Sequence, residues 1–375
     1  MKELQLKAVT IAKKAEDRKR EIESDRNIPI DLISEVKEAG LVRMWATSEC
    51  GGTETSVSEV SSIISRMAYY SGSMAWVTGV TNCSSLITGF ISDEMAQGLY
   101  QKDNAMIGGF AGPTGMATME GNQLRVKGKW SWGSGVTHCS HIVAGTAIIE
   151  GDKMVGTAIV FFNPDEVTFH DNWQVMGLKG THSIDYSVKS TLIPKERWTY
   201  FPVKSPIGES LLYRFSFLGA LSVSIAAVGK GMAERALDEI KKIAMIKSPF
   251  GQGKLLSDRP DFQEHMAKAI GNYKAAESLL KSTITEVEQE VKSGPCSIKS
   301  KANLRLATAH ATVLNTEVVN SCYHLAGGSA IWQDGKLEEL FRDMNVVSQH
   351  GMVNRGNYRT AGAVHLDRVV PEFLL

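Results

Sequence analysis

The chain has 375 residues, too many for one ordinary core and enough for two or three packed regions. Basic and acidic residues number 41 each, so the net charge is zero, and a balanced chain of this kind is not expected to bind nucleic acid or an anionic membrane. With 43% apolar and 22% charged residues, disorder, a collagen-like helix and a disulfide scaffold are excluded.

The opening segment, residues 1–23, is amphipathic and carries both signs of charge without an apolar run, so no signal peptide is expected. Ile28-Pro29-Ile30-Asp31 reads as a helix start, followed by Leu32, Ile33, Val36 and Leu41 at helical spacing and by Gly40 as a stop. Ser56 to Tyr70 places Val57, Val60, Ile63, Ile64 and Met67 on one face, and Met74 to Phe90 is apolar nearly all round, as a central buried helix should be. From about 103 to 205 the period changes. Gln123–Trp130, His141–Ile149, Met154–Phe162, Val167–His170 and Ile184–Ile193 read as strands, with Glu150-Gly151-Asp152-Lys153 as a hairpin turn, and together they predict a small barrel or sandwich.

Beyond about 208 the chain is helical again. The most apolar stretch, Leu211 to Val228, contains Arg214 and reads as a buried helix rather than a membrane span. Small residues from Gly219 to Gly231 allow close helix approach. A stripe of Phe262, Met266, Ala269, Ile270, Tyr273, Leu280, Ile284 and Val287 follows, then Ala302–Leu325 and Leu337–Val347, giving four segments suited to a bundle. Ser293-Gly294-Pro295 is a turn between helices. The five cysteines, Cys50, Cys83, Cys139, Cys296 and Cys322, are scattered and never spaced C-x-x-C, which predicts reduced thiols and a cytoplasmic protein.

Candidate chemistry sits in three places. His138-Cys139-Ser140-His141 has ligand-type residues, but no second pair stands at zinc spacing and on a strand the two histidines would point to opposite faces, so no metal is expected. In Trp130-Ser131-Trp132-Gly133-Ser134-Gly135 the tryptophans would share one sheet face, and Gly-Ser-Gly would let a planar group approach the backbone; an aromatic core followed by a turn accounts for the same residues. Gly133-x-Gly135 lacks the third glycine of a dinucleotide fingerprint, and Ser134 would be a nucleophile only beside a base. His350 ends a helical pattern, where an imidazole serves as acid or base, or simply suits the helix C-terminus.

Read together, these segments resemble the acyl-CoA dehydrogenase superfamily over nearly the whole chain. Ile28-Pro29 through Gly40-Leu41 and then Gly51-Gly52 look like its N-terminal helices. Trp173 to Asp185 is similar to its W-x-x-x-G-L-R-G-T-x-S-x-D strand and turn, and Ala326-Gly327-Gly328 and Arg342-Asp343 resemble its C-terminal landmarks. The implied fold is α+β: an N-terminal helical domain (1–102), a central β-barrel (103–207) and a C-terminal four-helix bundle (208–375). Dehydrogenases of the superfamily carry T-E-P-x-A-G-S-D before the barrel and, in many, a glutamate base in an E-G-T segment. This chain has Gly112 to Met119 and Ser348-Gln349-His350-Gly351 there. Trp130 to Gly135, and Arg342-Asp343 followed by His350, are similar instead to the W-x-F/W-x-S-G and R-D-x(6)-H motifs of flavin-dependent monooxygenases of the same fold. Ser71 to Trp76 resembles their segment before the central helix.

The resemblance implies an oxygenase component that receives reduced FMN or FAD from a separate flavin reductase, reacts it with O2 to a C4a-hydroperoxide, and oxidises a small aromatic or heterocyclic substrate. It implies His350 and Ser134 as catalytic residues. Trp132, Ser134, Trp173 and Ser183 would line the flavin ring, and Lys247, Phe250, Gly327 and Gly328 would lie toward its phosphate or adenosine end. Lys247 replaces an arginine in the family's R-x-x-F-G segment, keeping the charge without the bidentate fork. A homotetramer, built as a dimer of dimers, is expected, and opposing helix-end and burial effects place the His350 pKa near working pH. An acyl-CoA dehydrogenase using FAD and a catalytically silent scaffold subunit are the rival readings.

Overall fold

A computed structural model describes residues 2–100, 105–202, 205–251, 253–371 and 374–375; the domain boundary expected at 102 lies outside the described residues. The chain opens with helices α1 (Lys2–Asp17), α2 (Lys19–Asp25), α3 (Ile30–Glu38), α4 (Val57–Ala68), α5 (Gly72–Ser85) and α6 (Asp93–Tyr100). Strands β1 (Ile107–Glu120), β2 (Gln123–Gly133), β3 (His141–Glu150), β4 (Lys153–Phe162), β5 (Thr168–His170), β6 (Ile184–Ile193) and β7 (Trp198–Tyr200) follow. Helices α7 (Phe217–Ala244), α8 (Pro260–Glu290), α9 (Ile298–Ala326), α10 (Lys336–Val347) and α11 (Asn357–His365) complete the order. They pack as two compact units: Met1–Ser56, Trp76–Gln174 and Lys179–Arg214 form one, and Val57–Ala75, Val175–Leu178 and Phe215–Leu375 form the other.

In the first unit α3 starts after Pro29 as expected and ends before Gly40, whose φ of 75° needs no Cβ penalty. The strands form one sheet in the order β5-β6-β2-β1-β3-β4-β7, antiparallel except for β1 beside β3. Alternate residues of its strands, from Leu124 and Trp130 to Phe162, Tyr186 and Trp198, meet in one buried cluster, so the sheet is rolled about a single core. The β3–β4 hairpin turns where expected, with Glu150 opposite Lys153. Strand β1 is a departure: its glycines and Pro113 gave no alternating pattern. Gly115 is required because a Cβ there would come within 2.2 Å of the Trp130 ring, and the register shifts between Phe110 and Gly115, where Pro113 sits.

In the second unit the small-residue helix does bring backbones together. A Cβ on Gly231 of α7 would lie 2.0 Å from the Ser65 carbonyl of α4. The two helices are further joined by Arg66 to Glu234 and by the Tyr69 hydroxyl donating to Asp238 at 2.6 Å. Helix α7 starts later than the apolar run suggested. Leu211–Arg214 is a separate 3-10 turn, and Ser216 caps the helix by accepting from the Gly219 N–H. The helix is long and apolar enough to cross a membrane, yet 72% of its most apolar window is buried inside the protein. On α8 the expected stripe is buried at Phe262, Ala269, Leu280, Ile284 and Val287, whereas Ile270 is exposed. All five cysteines are buried, and none forms a disulfide.

Candidate active site

Strand β2 is bulged at its end. Trp130 pairs with Tyr186 of β6 and Gly133 with Ile184, so three steps on β2 match two on β6. Trp132 takes a φ of 62°, a left-handed value that bulky side chains rarely adopt. The two tryptophans therefore do not share a face. Trp130 is fully buried, stacks on Tyr186 at 5.6 Å and donates its indole N–H to the Gly145 carbonyl at 2.7 Å. Trp132 is 65% exposed and stands edge-on to Phe110.

Just past the bulge three buried hydroxyls form a chain. Ser134 Oγ lies 2.7 Å from Ser183 Oγ, which lies 2.7 Å from Thr181 Oγ1. The Trp76 indole N–H of α5 donates to Ser134 Oγ at 3.0 Å, and the Gly135 N–H donates to the Thr181 carbonyl at 2.9 Å. Ser134 and Ser183, expected to serve one ligand, are thus brought together. Each hydroxyl both donates and accepts, so the protons of the chain can run in either sense.

The Trp173 segment is tied down from outside. Trp173 is half-buried against the sheet core. Arg26, left-handed at the end of α2, donates to the Asp171 carboxylate at 2.8 Å and to the Trp173 carbonyl at 3.2 Å, and it holds Asp171 below the usual carboxylate range. His182, at a φ of 45°, faces Thr137 Oγ1 through Nδ1 at 3.4 Å and Asp171 through Nε2 at 3.8 Å; burial lowers its pKa against the pull of Asp171. His138 sits in a short 3-10 helix, Val136–His138, and not on a strand, so the opposite-faces expectation fails. Its Nε2 meets Asn27 Oδ1 at 2.8 Å, and burial, reinforced by Lys37, drives it down to about 4.

In the second unit Arg342 and Asp343 do more than brace α10. Asp343 accepts the Leu178 N–H at 2.6 Å, and Arg342 donates to the Met176 carbonyl at 2.8 Å while pairing with Glu338. A Cβ on Gly177 would lie 2.4 Å from the Arg342 carbonyl, which explains the glycine. The C-terminal landmark therefore pins the Gly177-Leu178 turn of the earlier motif.

His350 follows α10, with its N–H on the Val347 carbonyl at 3.2 Å. Its Nδ1 accepts the Met352 N–H at 3.2 Å. Burial first and the nearby Arg305 charge second push its pKa down to about 4. The expected balance near working pH is thus corrected: desolvation outweighs the helix end. Lys247 donates to the Ala326 carbonyl at 2.6 Å and lies beside Gly327, so these two expected neighbours are together. Gly328 is exposed, and Phe250 projects fully into solvent.

Three contributors escaped sequence reasoning. Trp76 lies inside α5, not before it, and nothing in an all-round apolar helix marks one indole as a donor. Arg26 and Arg305 reach partners across 145 and 52 residues of chain. A faint signal existed for Arg305, a lone cation within Leu304-Arg305-Leu306-Ala307.

Comparison with known proteins places these features. The N-terminal domain model of the acyl-CoA dehydrogenases matches residues 4–102 and the C-terminal domain model matches residues 223–355. An indole-3-acetate monooxygenase of Acinetobacter baumannii is 26% identical over 349 residues, covering 92% of this chain and 89% of its own. The oxygenase subunit HsaA of a flavin-dependent monooxygenase from Rhodococcus jostii is 22% identical over 347 residues, covering 89% and 90%. The crystal structure of XiaF from a Streptomyces species, in complex with FADH2 and glycerol, superimposes with a TM-score of 0.91 at 20% identity over 98% of both chains.

Proposed function

Because this chain belongs to the acyl-CoA dehydrogenase superfamily, we propose that it is the oxygenase component of a two-component flavin-dependent monooxygenase. A separate reductase supplies reduced FMN or FAD, and the substrate is a small aromatic or heterocyclic compound. The monooxygenase relatives support the class. The observation that carries it is a half-buried imidazole at position 350, where many dehydrogenases of the superfamily carry a carboxylate base.

The donor set of the first unit fits a flavin ring. An isoalloxazine presents flat apolar faces and an edge of alternating donors and acceptors. Trp132 and the half-buried Trp173 offer aromatic surface, and the Ser134, Ser183 and Thr181 hydroxyls can donate or accept. When bound, the reduced flavin supplies the electrons that activate O2, one oxygen atom going to the substrate and the other to water. Trp132 and Trp173 keep water from the ring, and Ser134 and Ser183 orient its polar edge. Lys247, Phe250, Gly327 and Gly328 hold the phosphate or adenosine end, the lysine supplying the charge. His350 holds a polar group of the substrate in place by a hydrogen bond. The chain works in the cytoplasm and as a homotetramer; the exposed apolar side chains of Ile246, Phe250, Ile331 and Trp332 support association with further copies.

The test supplies reduced FMN or FAD to the whole protein without oxygen, then adds ¹⁸O2 and an aromatic acid or phenol. One labelled oxygen in the product is expected. Bleaching of a tightly held FAD by an acyl-CoA, with no oxygen incorporated, would instead establish a dehydrogenase.

A further inference from the structure

Arg305 is a buried cation without an ionic partner. It is 4% exposed, and among the described residues it makes no ion pair. Its Nη1 donates to the Met352 carbonyl at 3.0 Å and touches the Met352 sulfur, Nη2 donates to Asn357 Oδ1, and Nε is buried without a hydrogen-bond partner. A charge held this way is costly, because hydrogen bonds to neutral groups offset its desolvation only in part.

Its partners show what it holds in place. Met352 is gripped on both sides: Arg305 holds its carbonyl, and its N–H points at Nδ1 of His350. Asn357 extends the grip by donating from Nδ2 to the carbonyls of Gly351 at 3.1 Å and Asn354 at 2.9 Å. The Val353 and Asn354 N–H groups close the turn on the His350 carbonyl, each at 3.0 Å. A backbone N–H can only donate, so the ring nitrogen that receives it must present a lone pair. A neutral imidazole with a lone pair on Nδ1 carries its proton on Nε2. The charge facing the ring from α9 is the Arg305 guanidinium, and it repels a second positive charge; the turn residues Met352, Asn354 and Asn357 are neutral.

We propose that Arg305 is a positioning residue for His350: it fixes the Met352 peptide on Nδ1, so that the neutral ring holds its proton on Nε2 and serves there as a hydrogen-bond donor, not as a base. The proposal rests on the proposed function only in taking His350 as the residue that meets substrate; the tautomer itself is independent of flavin and substrate.

The experiment uses the intact protein labelled with ¹⁵N at histidine, with His350→Gln identifying the His350 signals. A protonated Nε2 and a bare Nδ1 are expected throughout about pH 5.5–8. In Arg305→Met the two tautomers should mix and the titration midpoint should rise by about 0.5–1 pH unit. Arg305→Lys should restore the low midpoint but only part of the tautomer bias, since it keeps the charge and loses the fork. Should Arg305→Met not fold, Asn357→Ala tests the same grip from its other end and should mix the tautomers. A proton on Nδ1, an imidazolium at neutral pH, or spectra indifferent to all these substitutions would overturn the proposal. Loss of ¹⁸O incorporation with the tautomer intact would count only against the monooxygenase reading.

Discussion

The hydroxyl chain of the first unit is buried and the His350 turn of the second is half-buried, and the two polar sites are held by opposite means. Around Ser134, Ser183 and Thr181 every observed contact is neutral, and order comes from unusual backbone: Trp132 and His182 at positive φ, flanking a one-residue bulge. Around His350 the backbone is an ordinary helix end and turn, and order comes from a buried charge, Arg305. The contrast teaches that a site can be rigid without being electrostatically quiet. The hydroxyl chain can reverse its protons at little cost, whereas burial and the Arg305 charge both disfavour a second proton on the imidazole.

Substitution of His350 should separate the two regions most sharply. His350→Ala should reduce product formation about 10²–10³-fold, the usual effect of losing one preorganised donor, while reduced-flavin binding is retained. His350→Gln, which keeps a donor, should recover part of the loss. In the native enzyme the product yield per reduced flavin should show no inflection from His350 over about pH 6–9. An inflection abolished by His350→Gln would make the residue a base after all.

The next largest effect is on stability in acid. His350 and His138 both fall from 6.5 to about 4 in the folded protein. As pH drops through 6.5 the unfolded chain takes up protons that the folded chain refuses until about 4, so stability declines across that window and levels off below it. Each histidine contributes on the order of 3 kcal/mol to the decline. Urea midpoints recorded through the window for wild type and for His350→Gln should show a shallower slope in the variant, and equal slopes would refute the burial argument.

Ser134→Ala probes the neutral region. It removes one hydrogen bond from the Trp76 indole and one from the Ser183 hydroxyl, at a cost of about 1–3 kcal/mol, and it should weaken reduced-flavin binding. A smaller effect is expected at Trp173. Trp173→Ala should raise the reduced-flavin Kd by about tenfold with the fold intact, the loss of one aromatic contact. Smallest is Arg26→Ala, which frees the Trp173 segment through a largely exposed ion pair and should change the same Kd only about two- to threefold. Equilibrium titration without oxygen measures all three, and a reversed ranking would mean that the outer clamp, and not the hydroxyl chain, organises the site.

How much of this was legible in the sequence depends on how local the cause is. The α4 stripe, the β3–β4 hairpin and the Gly40 stop follow from spacing and turn residues a few positions apart, and the structure bears them out. Strand β1 was hidden because its glycines answer to a tryptophan on the next strand, not to their own neighbours. The separation of Trp130 from Trp132 needed one extra residue in the β2–β6 register, which period-two reasoning cannot contain. Ser134 and Ser183 could be named from motifs, but their 2.7 Å contact could not. For His350 the competing terms were identified correctly. Their relative size depended on burial and on Arg305, neither of which is written near residue 350.

The buried thiols bear on how long such a protein survives its own work. An oxygenase that fails to find substrate releases hydrogen peroxide, and peroxide attacks thiolates, not thiols. Burial pushes Cys139, Cys296 and Cys322 up to about 12, so these sulfurs stay protonated as well as sheltered. Met154 and Met245, 64% and 58% exposed, stand at the surface, where a sulfoxide disturbs no core. Oxidative wear should therefore accumulate first as reversible methionine damage on the outside, leaving the interior to age last.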